Sequence, residues 1–331
     1  MVFCMVGQLY GGLRPATESA PLARLAAMAL SPTGIQHVLV HDDQLAIVTE
    51  LGATLRSYRS AGHDVVTPFA QEASPFSSQG QQLAPWPNRI QDGHWVFDGE
   101  DHQLPLSEPE RRNAIHGLVR WLPWQTLAKT EDTVTQRVLL APQPGWPVPL
   151  EMVITHRLAD EGLVVEVGAR NLGERPVPYG YAAHPYLTSP DAGVAVDDCS
   201  LVLPFDAWLE SDERLLPLAL HPVEDSALDL RSAAPLGGRE LDTAFTHPSS
   251  AGGWQAELRG TEHRTLLWAG AGMDWVQVYT PGDRESVAVE PMSIGPDAFN
   301  PGPTHHDLTV LAPGAEHRCR WGLRREALTR G

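Results

Sequence analysis

Short apolar runs that are broken every few residues by Gly, Pro, Asn or Asp most limit the architecture open to this chain. Alternating or β-branched runs occur at Gln36 to Val40, Leu45 to Thr49, His94 to Phe97, Thr133 to Leu140, Glu151 to Leu158, Leu163 to Ala169, Leu266 to Trp268, Trp275 to Tyr279 and His317 to Leu323. With 29 Gly and 29 Pro among 331 residues, long uninterrupted helices are not expected, and many short strands read as an all-β sandwich or barrel. Asp98-Gly99 and Asp160-Glu161-Gly162 supply the positive-φ turns that tight hairpins need. Leu215 to Pro235 reads as an irregular loop. All-β folds of more than 200 residues commonly form one unit, so residues 34–331 are expected to make a single domain. Residues 1–33 read as an N-terminal extension, disordered or with a short helix over Pro21 to Leu30, or lying before a true start at Met28.

The net charge of −17 and the lack of a basic stripe argue against nucleic acid or an anionic membrane as partner, and a small neutral ligand suits the chain better. Cys4, Cys199 and Cys319 are odd in number and contain no CxxC pair, so neither a disulfide framework nor a zinc site is expected, and a reducing cytoplasm is the simplest location. The chain has a single lysine, Lys129, in a polar hairpin turn. Walker-loop and Schiff-base chemistry both need a lysine elsewhere, and no dinucleotide, zinc-protease or serine-hydrolase motif is present.

Three segments carry proton-handling side chains beside Gly or Pro: Ile115-His116-Gly117, Ala183-His184-Pro185-Tyr186, and Val289-Glu290-Pro291 followed by Met292 to Asn300. A carboxylate shielded at a strand end has its pKa raised and serves as a base; its alternative is a buried glutamate paired with an arginine. Asn88-Arg89, in a rigid Pro-Trp-Pro setting, offers fixed donors to hydroxyls or serves as a turn cap. Asp242 is suited to hydrogen-bonding sugar hydroxyls or to a turn. Each histidine alone is more often a hydrogen-bonded structural residue than a catalyst. Trp86, Trp95, Trp121 and Trp124 flank these motifs and offer stacking faces, but large aromatics are more often core, so at most one or two are expected to line a cleft. His305-His306-Asp307 reads as a solvated loop rather than a metal site.

In this order, Pro87-Asn88-Arg89-Ile90, Gly93, Ile115-His116-Gly117, Ala183-His184-Pro185-Tyr186, Leu241-Asp242, Val289-Glu290-Pro291 and Pro296-Asp297-Ala298 with Asn300 resemble the aldose 1-epimerase (galactose mutarotase) family from about Gln36 to Leu323. The resemblance implies a large antiparallel β-sandwich with an open sugar cleft. Glu290 would be the base on the anomeric hydroxyl, His184 the acid on the ring oxygen and His116 its helper, while Arg89 and Asp242 would hold hydroxyls with Asn88 and Trp121 beside them. Anomer exchange of this kind needs no cofactor and no metal, and the protein would be a monomer or homodimer. Pro185-Tyr186 and Leu118-Val119-Arg120-Trp121 resemble a bacterial subgroup acting on modified hexoses such as sulfoquinovose, and echo a hexose-6-phosphate branch. There Arg120 would meet an anionic substituent. A glycoside hydrolase using Asp242 and Glu290, or a non-catalytic sugar sensor, are the rival expectations.

Overall fold

Every strand pair in the computed structural model is antiparallel, and most of the strands lie in two large sheets. The structure describes residues 31–328; the expectations for the N-terminal extension lie outside the described residues. One sheet of 12 strands runs from Gln36–His41 at one edge to the hairpin Phe205–Ser211 and Pro217–Pro222 at the other. The second, of 9 strands, is built around Leu150–Ala159, Gly162–Asn171, Glu316–Ala327 and His263–Gly270. Their apolar faces meet in one core. This is the large β-sandwich that the resemblance implied.

Side-chain alternation accounts for the strands. In Leu150–Ala159 the residues Leu150, Met152, Ile154, His156 and Leu158 face inward, with more exposed residues between them. The strand Val287–Met292 is buried at all six positions, since it lies inside the larger sheet and both of its faces are covered. A carboxylate carried there is therefore forced out of water. The Asp98-Gly99 turn joins His94–Phe97 to Glu100–Gln103 with φ of 52° and 78°, the left-handed pair that the dipeptide favours. Leu215 to Pro235 is more regular than expected. It contains the strand Pro217–Pro222, held in register by Phe205–Ser211, and the short strand Ala234–Pro235. Its prolines hid the pattern because tertiary pairing, not local alternation, makes that edge strand.

Candidate active site

The site lies where the larger sheet's ladder is interrupted. Ala182–Ala183 and Tyr186–Leu187 both pair with Val287–Met292, through Ala182 to Met292 and Tyr186 to Ala288. Between these pairings Pro185 has no N–H to give, and His184 and Glu290 face each other in the gap. His184 Nε2 lies 3.3 Å from Glu290 Oε1, with side chains 6% and 3% exposed. The His184 backbone is fixed from the other side, its N–H donating to Gln81 O (3.1 Å) and its carbonyl accepting from Gly80 N (2.9 Å). Tyr186 stacks on the imidazole, with centroids 4.9 Å apart and planes at 14°, and its hydroxyl donates to Ser77 O at 2.9 Å.

His116 lies beside this pair. Its ring meets that of His184 edge-on, at 5.5 Å and 81°. The residue sits at φ 63°, followed by Gly117 at 67°, a conformation that is unfavourable for a side chain larger than Gly. Gly117 is required here because a Cβ would lie 2.0 Å from Ala84 O. The turn is held by His116 N donating to Asn88 O (2.9 Å) and Leu118 N donating to Ala84 O (2.7 Å).

Burial dominates the electrostatics. It pushes the Glu290 carboxyl well above the usual carboxylate range; nearby Asp242 pushes the same way and Arg89 opposes. It pulls His184 down to about 3. His116 is also held well below an ordinary imidazole, by burial and then by His184 and the cations Arg120 and Arg89. A proton given to the His184–Glu290 pair thus rests on the carboxyl, with both imidazoles neutral.

The remaining predicted residues line the same cleft of about 400 Å³. Arg89 is not free there: Nε and Nη2 donate to Glu108 Oε2 and Oε1, both at 2.9 Å. Only Nη1, 3.3 Å from Asn88 Oδ1, is left for the cleft. The Asn88 carboxamide also donates to Gln277 Oε1 (3.2 Å), and Gln277 Nε2 donates to Asp242 Oδ1 (2.6 Å). Asp242 keeps its side chain accessible inside the cleft, yet the surrounding protein raises its pKa, with Arg89 opposing. Arg120 donates to Ser78 Oγ at 2.7 Å while its Nε is buried without a partner. Trp121 stands at the rim, 48% exposed, with the Arg120 guanidinium 5.7 Å from its ring centre. Trp86, Trp95 and Trp124 are core residues instead. Pro296 to Asn300 locks the floor: Asp297 N donates to Arg89 O (2.8 Å), and Asp297 Oδ1 accepts from Gln91 N (2.9 Å) and Asn300 Nδ2 (2.8 Å).

Glu108, Gln277 and Tyr186 were not singled out as site residues. Gln277 carried a usable signal, a lone polar residue in the apolar run Trp275–Tyr279, and its register partner is Glu290. Glu108 lies in the charged stretch Ser107 to Arg112 and looks solvated in sequence. Tyr186 was inside a quoted motif without a role. Outside the cleft, His41, Asp42 and Asp160 bring possible metal ligands together at exposed turns, although the His41 ring already bonds Asp160 at 2.8 Å.

The family model for aldose 1-epimerase matches residues 36–324. The chain belongs to the aldose 1-epimerase family. An uncharacterised Escherichia coli K12 protein, YihR, is 34% identical over 288 residues, 86% of this chain and 91% of that one. Among solved structures, the GalM/aldose epimerase homologue from C. elegans superposes with a TM-score of 0.76 at 17% identity, covering 89% of this chain and 99% of that one. The galactose 1-epimerase of Lactobacillus acidophilus NCFM gives 0.73 at 18% identity, with 88% and 93% covered. At these identities the two structures speak for the fold alone. In this aldose 1-epimerase family member no described helix is long and apolar enough to cross a membrane.

Proposed function

We propose that this protein interconverts the α and β anomers of a hexose by general acid and base catalysis, in the cytoplasm and with no second macromolecule required. The observation that carries this is the buried His184–Glu290 pair, 3.3 Å apart, at the bottom of an open cleft lined with hydroxyl-binding groups. As the cyclic sugar binds, the shared proton passes from Glu290 to His184 across the 3.3 Å between them, so that the sugar meets the pair as imidazolium and carboxylate. Glu290 takes the proton of the anomeric hydroxyl while the bond between C1 and the ring oxygen breaks, and its electrons collect a proton from His184. The open-chain aldehyde now faces a protonated Glu290 and a neutral His184, the form that burial favours.

Rotation about the C1–C2 bond presents the other face of the aldehyde. His184 then withdraws the hydroxyl proton as that oxygen attacks C1, and Glu290 returns its proton to O1. The pair holds one proton throughout, so nothing must be exchanged with solvent in a turnover. His116, neutral and beside His184, is a hydrogen-bonding partner to the ring oxygen. Arg89 Nη1 and Asp242 hold hydroxyls, Asn88 and Gln277 orient them, and Trp121 offers a stacking face at the rim.

Burial lowers the Arg120 pKa, and its Nε lacks a partner. These observations favour a hexose whose far substituent is anionic. The test is polarimetry of freshly dissolved α-D-glucose and α-D-galactose, then of a 6-phosphorylated or 6-sulfonated hexose, with wild type and Glu290→Gln. Catalysis that the substitution removes supports the proposal. Release of nitrophenol from an aryl glycoside would instead favour hydrolysis, and binding of these sugars without any rate effect would favour a sensor.

A further inference from the structure

We propose that Arg214, at the tip of the hairpin between Phe205–Ser211 and Pro217–Pro222, is a positioning residue that sets the orientation of Arg89 through Asn113 and Glu108. This rests on the reading of Arg89 as a sugar-binding group.

The tip is built to present this side chain. Asp212 Oδ1 accepts from both Arg214 N (2.8 Å) and Leu216 N (2.9 Å), and Leu215 takes φ 61°. The guanidinium then reaches across about a hundred residues of sequence to the cleft's rim. Nε donates to Arg111 O at 2.9 Å, and Nη2 is shared among Asp92 Oδ1 (3.0 Å), Arg112 O (3.2 Å) and Asn113 Oδ1 (3.2 Å). The backbone carbonyl of Arg214 takes part as well, accepting from Asn113 Nδ2 at 3.1 Å.

Arg214 therefore grips both ends of the Asn113 carboxamide. A carboxamide has two unlike ends, an acceptor and a double donor. With its oxygen on the guanidinium and one amide hydrogen on the Arg214 carbonyl, its other hydrogen is aimed at Glu108 Oε2, 3.1 Å away. Turning the amide over would place its oxygen against that carboxylate and its NH₂ against a cation, two repulsive contacts in place of two attractive ones. Glu108 is fixed in turn, its side chain 7% exposed and its Oε1 also accepting from Arg111 at 3.1 Å. The carboxylate plane dictates the plane of the bidentate Arg89 guanidinium, and hence where Nη1 points in the cleft. The strand that ends at this hairpin, Phe205–Ser211, pairs with the strand opening at Asp242, so one edge of the sheet steadies both hydroxyl-holding groups.

The test combines steady-state kinetics on the hexose that polarimetry identifies with the NMR signal of the Arg89 side-chain Nε–H, which needs no substrate. Arg214→Ala is expected to raise KM roughly 5–10-fold, the loss of one or two net hydrogen bonds, with kcat and the pH profile unchanged. The Arg89 Nε–H signal should shift or broaden, whereas Arg112→Ala, which removes an exposed neighbouring ion pair, leaves it in place. In a Glu108→Gln background the Arg214→Ala effect should disappear, since the two act in series. Undiminished effects in that background, a fall in kcat at constant KM, or an unmoved Arg89 signal would each overturn the relay. If Arg89→Ala leaves KM unchanged, the sugar-binding reading itself fails; if it raises KM and Arg214→Ala does not, only the relay fails. Arg214→Lys keeps charge near Asp92 but cannot span Asn113 and the two carbonyls, so it should show the same KM split even where Ala compromises folding.

Discussion

Glu290→Gln should slow the proposed mutarotation and stabilise the protein, and the stabilisation should grow with pH. Glu290 has a folded-state pKa above its unfolded value because the carboxylate is buried and faces the negative field of Asp242. Between those two values the folded chain binds more protons than the unfolded chain, so wild-type stability falls as pH rises through that window. The slope for one such group is about 1.4 kcal/mol per pH unit. Glutamine fills the same space and does not ionise. The difference in stability should be near zero below the ordinary glutamate pKa of 4.5 and widen above it, by roughly 2–3 °C in Tm per pH unit for a domain of this size. Mutarotation should meanwhile fall by about 10²–10⁴-fold, the worth of a positioned base. The assay is thermal unfolding of both proteins from pH 4 to 9, beside polarimetry at each pH. A Tm difference that is flat with pH would show that Glu290 does not sit desolvated, and a rate within tenfold of wild type would show that it is not the base.

Activity should persist far below the ordinary imidazole pKa and fade on the alkaline side, because a second proton enters the pair only near the His184 value of about 3 while the last leaves above the usual carboxylate range; a rate profile with an acid limb centred near pH 6.5 would contradict this. His156 is fully buried, neither ring nitrogen has a partner, and its pKa is lowered to about 3 from 6.5. Its folded pKa is depressed, so stability is fully present above the unfolded value and is lost as pH falls from 6.5 towards 3, by about 5 kcal/mol. His156→Leu should remove that loss in pH-dependent melting without lowering Tm at pH 8. Gly117→Ala should destabilise by about 3 kcal/mol or more in denaturant titration, as its Cβ meets a backbone oxygen at 2.0 Å, and should lower activity by moving His116.

What could be read in the chain, and what could not, follows from how far each constraint reaches. Alternation is a local property, so Gln36–His41, Thr133–Leu140 and Gly162–Asn171 were visible from their own residues, as were the turns whose φ demands Gly or Asp. The residues proposed to handle protons were visible because the same local rule breaks around them: a charged residue enters an apolar strand at Glu290, and a histidine stands before a proline that cannot pair. Glu108 had no such mark. It is held by Arg89, 19 residues earlier, and by Asn113, which itself bonds a hairpin about a hundred residues later, and a charge neutralised by partners that distant looks the same in sequence as one facing water. Arg214, next to the stretch from Leu215 to Pro235 that reads as an irregular loop, was hidden for the same reason. The division has a functional sense. The groups that move protons must differ from their immediate surroundings, since a shifted pKa requires an apolar neighbourhood, whereas the groups that aim an arginine need only a satisfied partner at each atom. Chemistry is therefore inscribed locally and geometry non-locally, and in this fold the hydroxyl-holding arm of the site depends on contacts that only the closed sheet supplies.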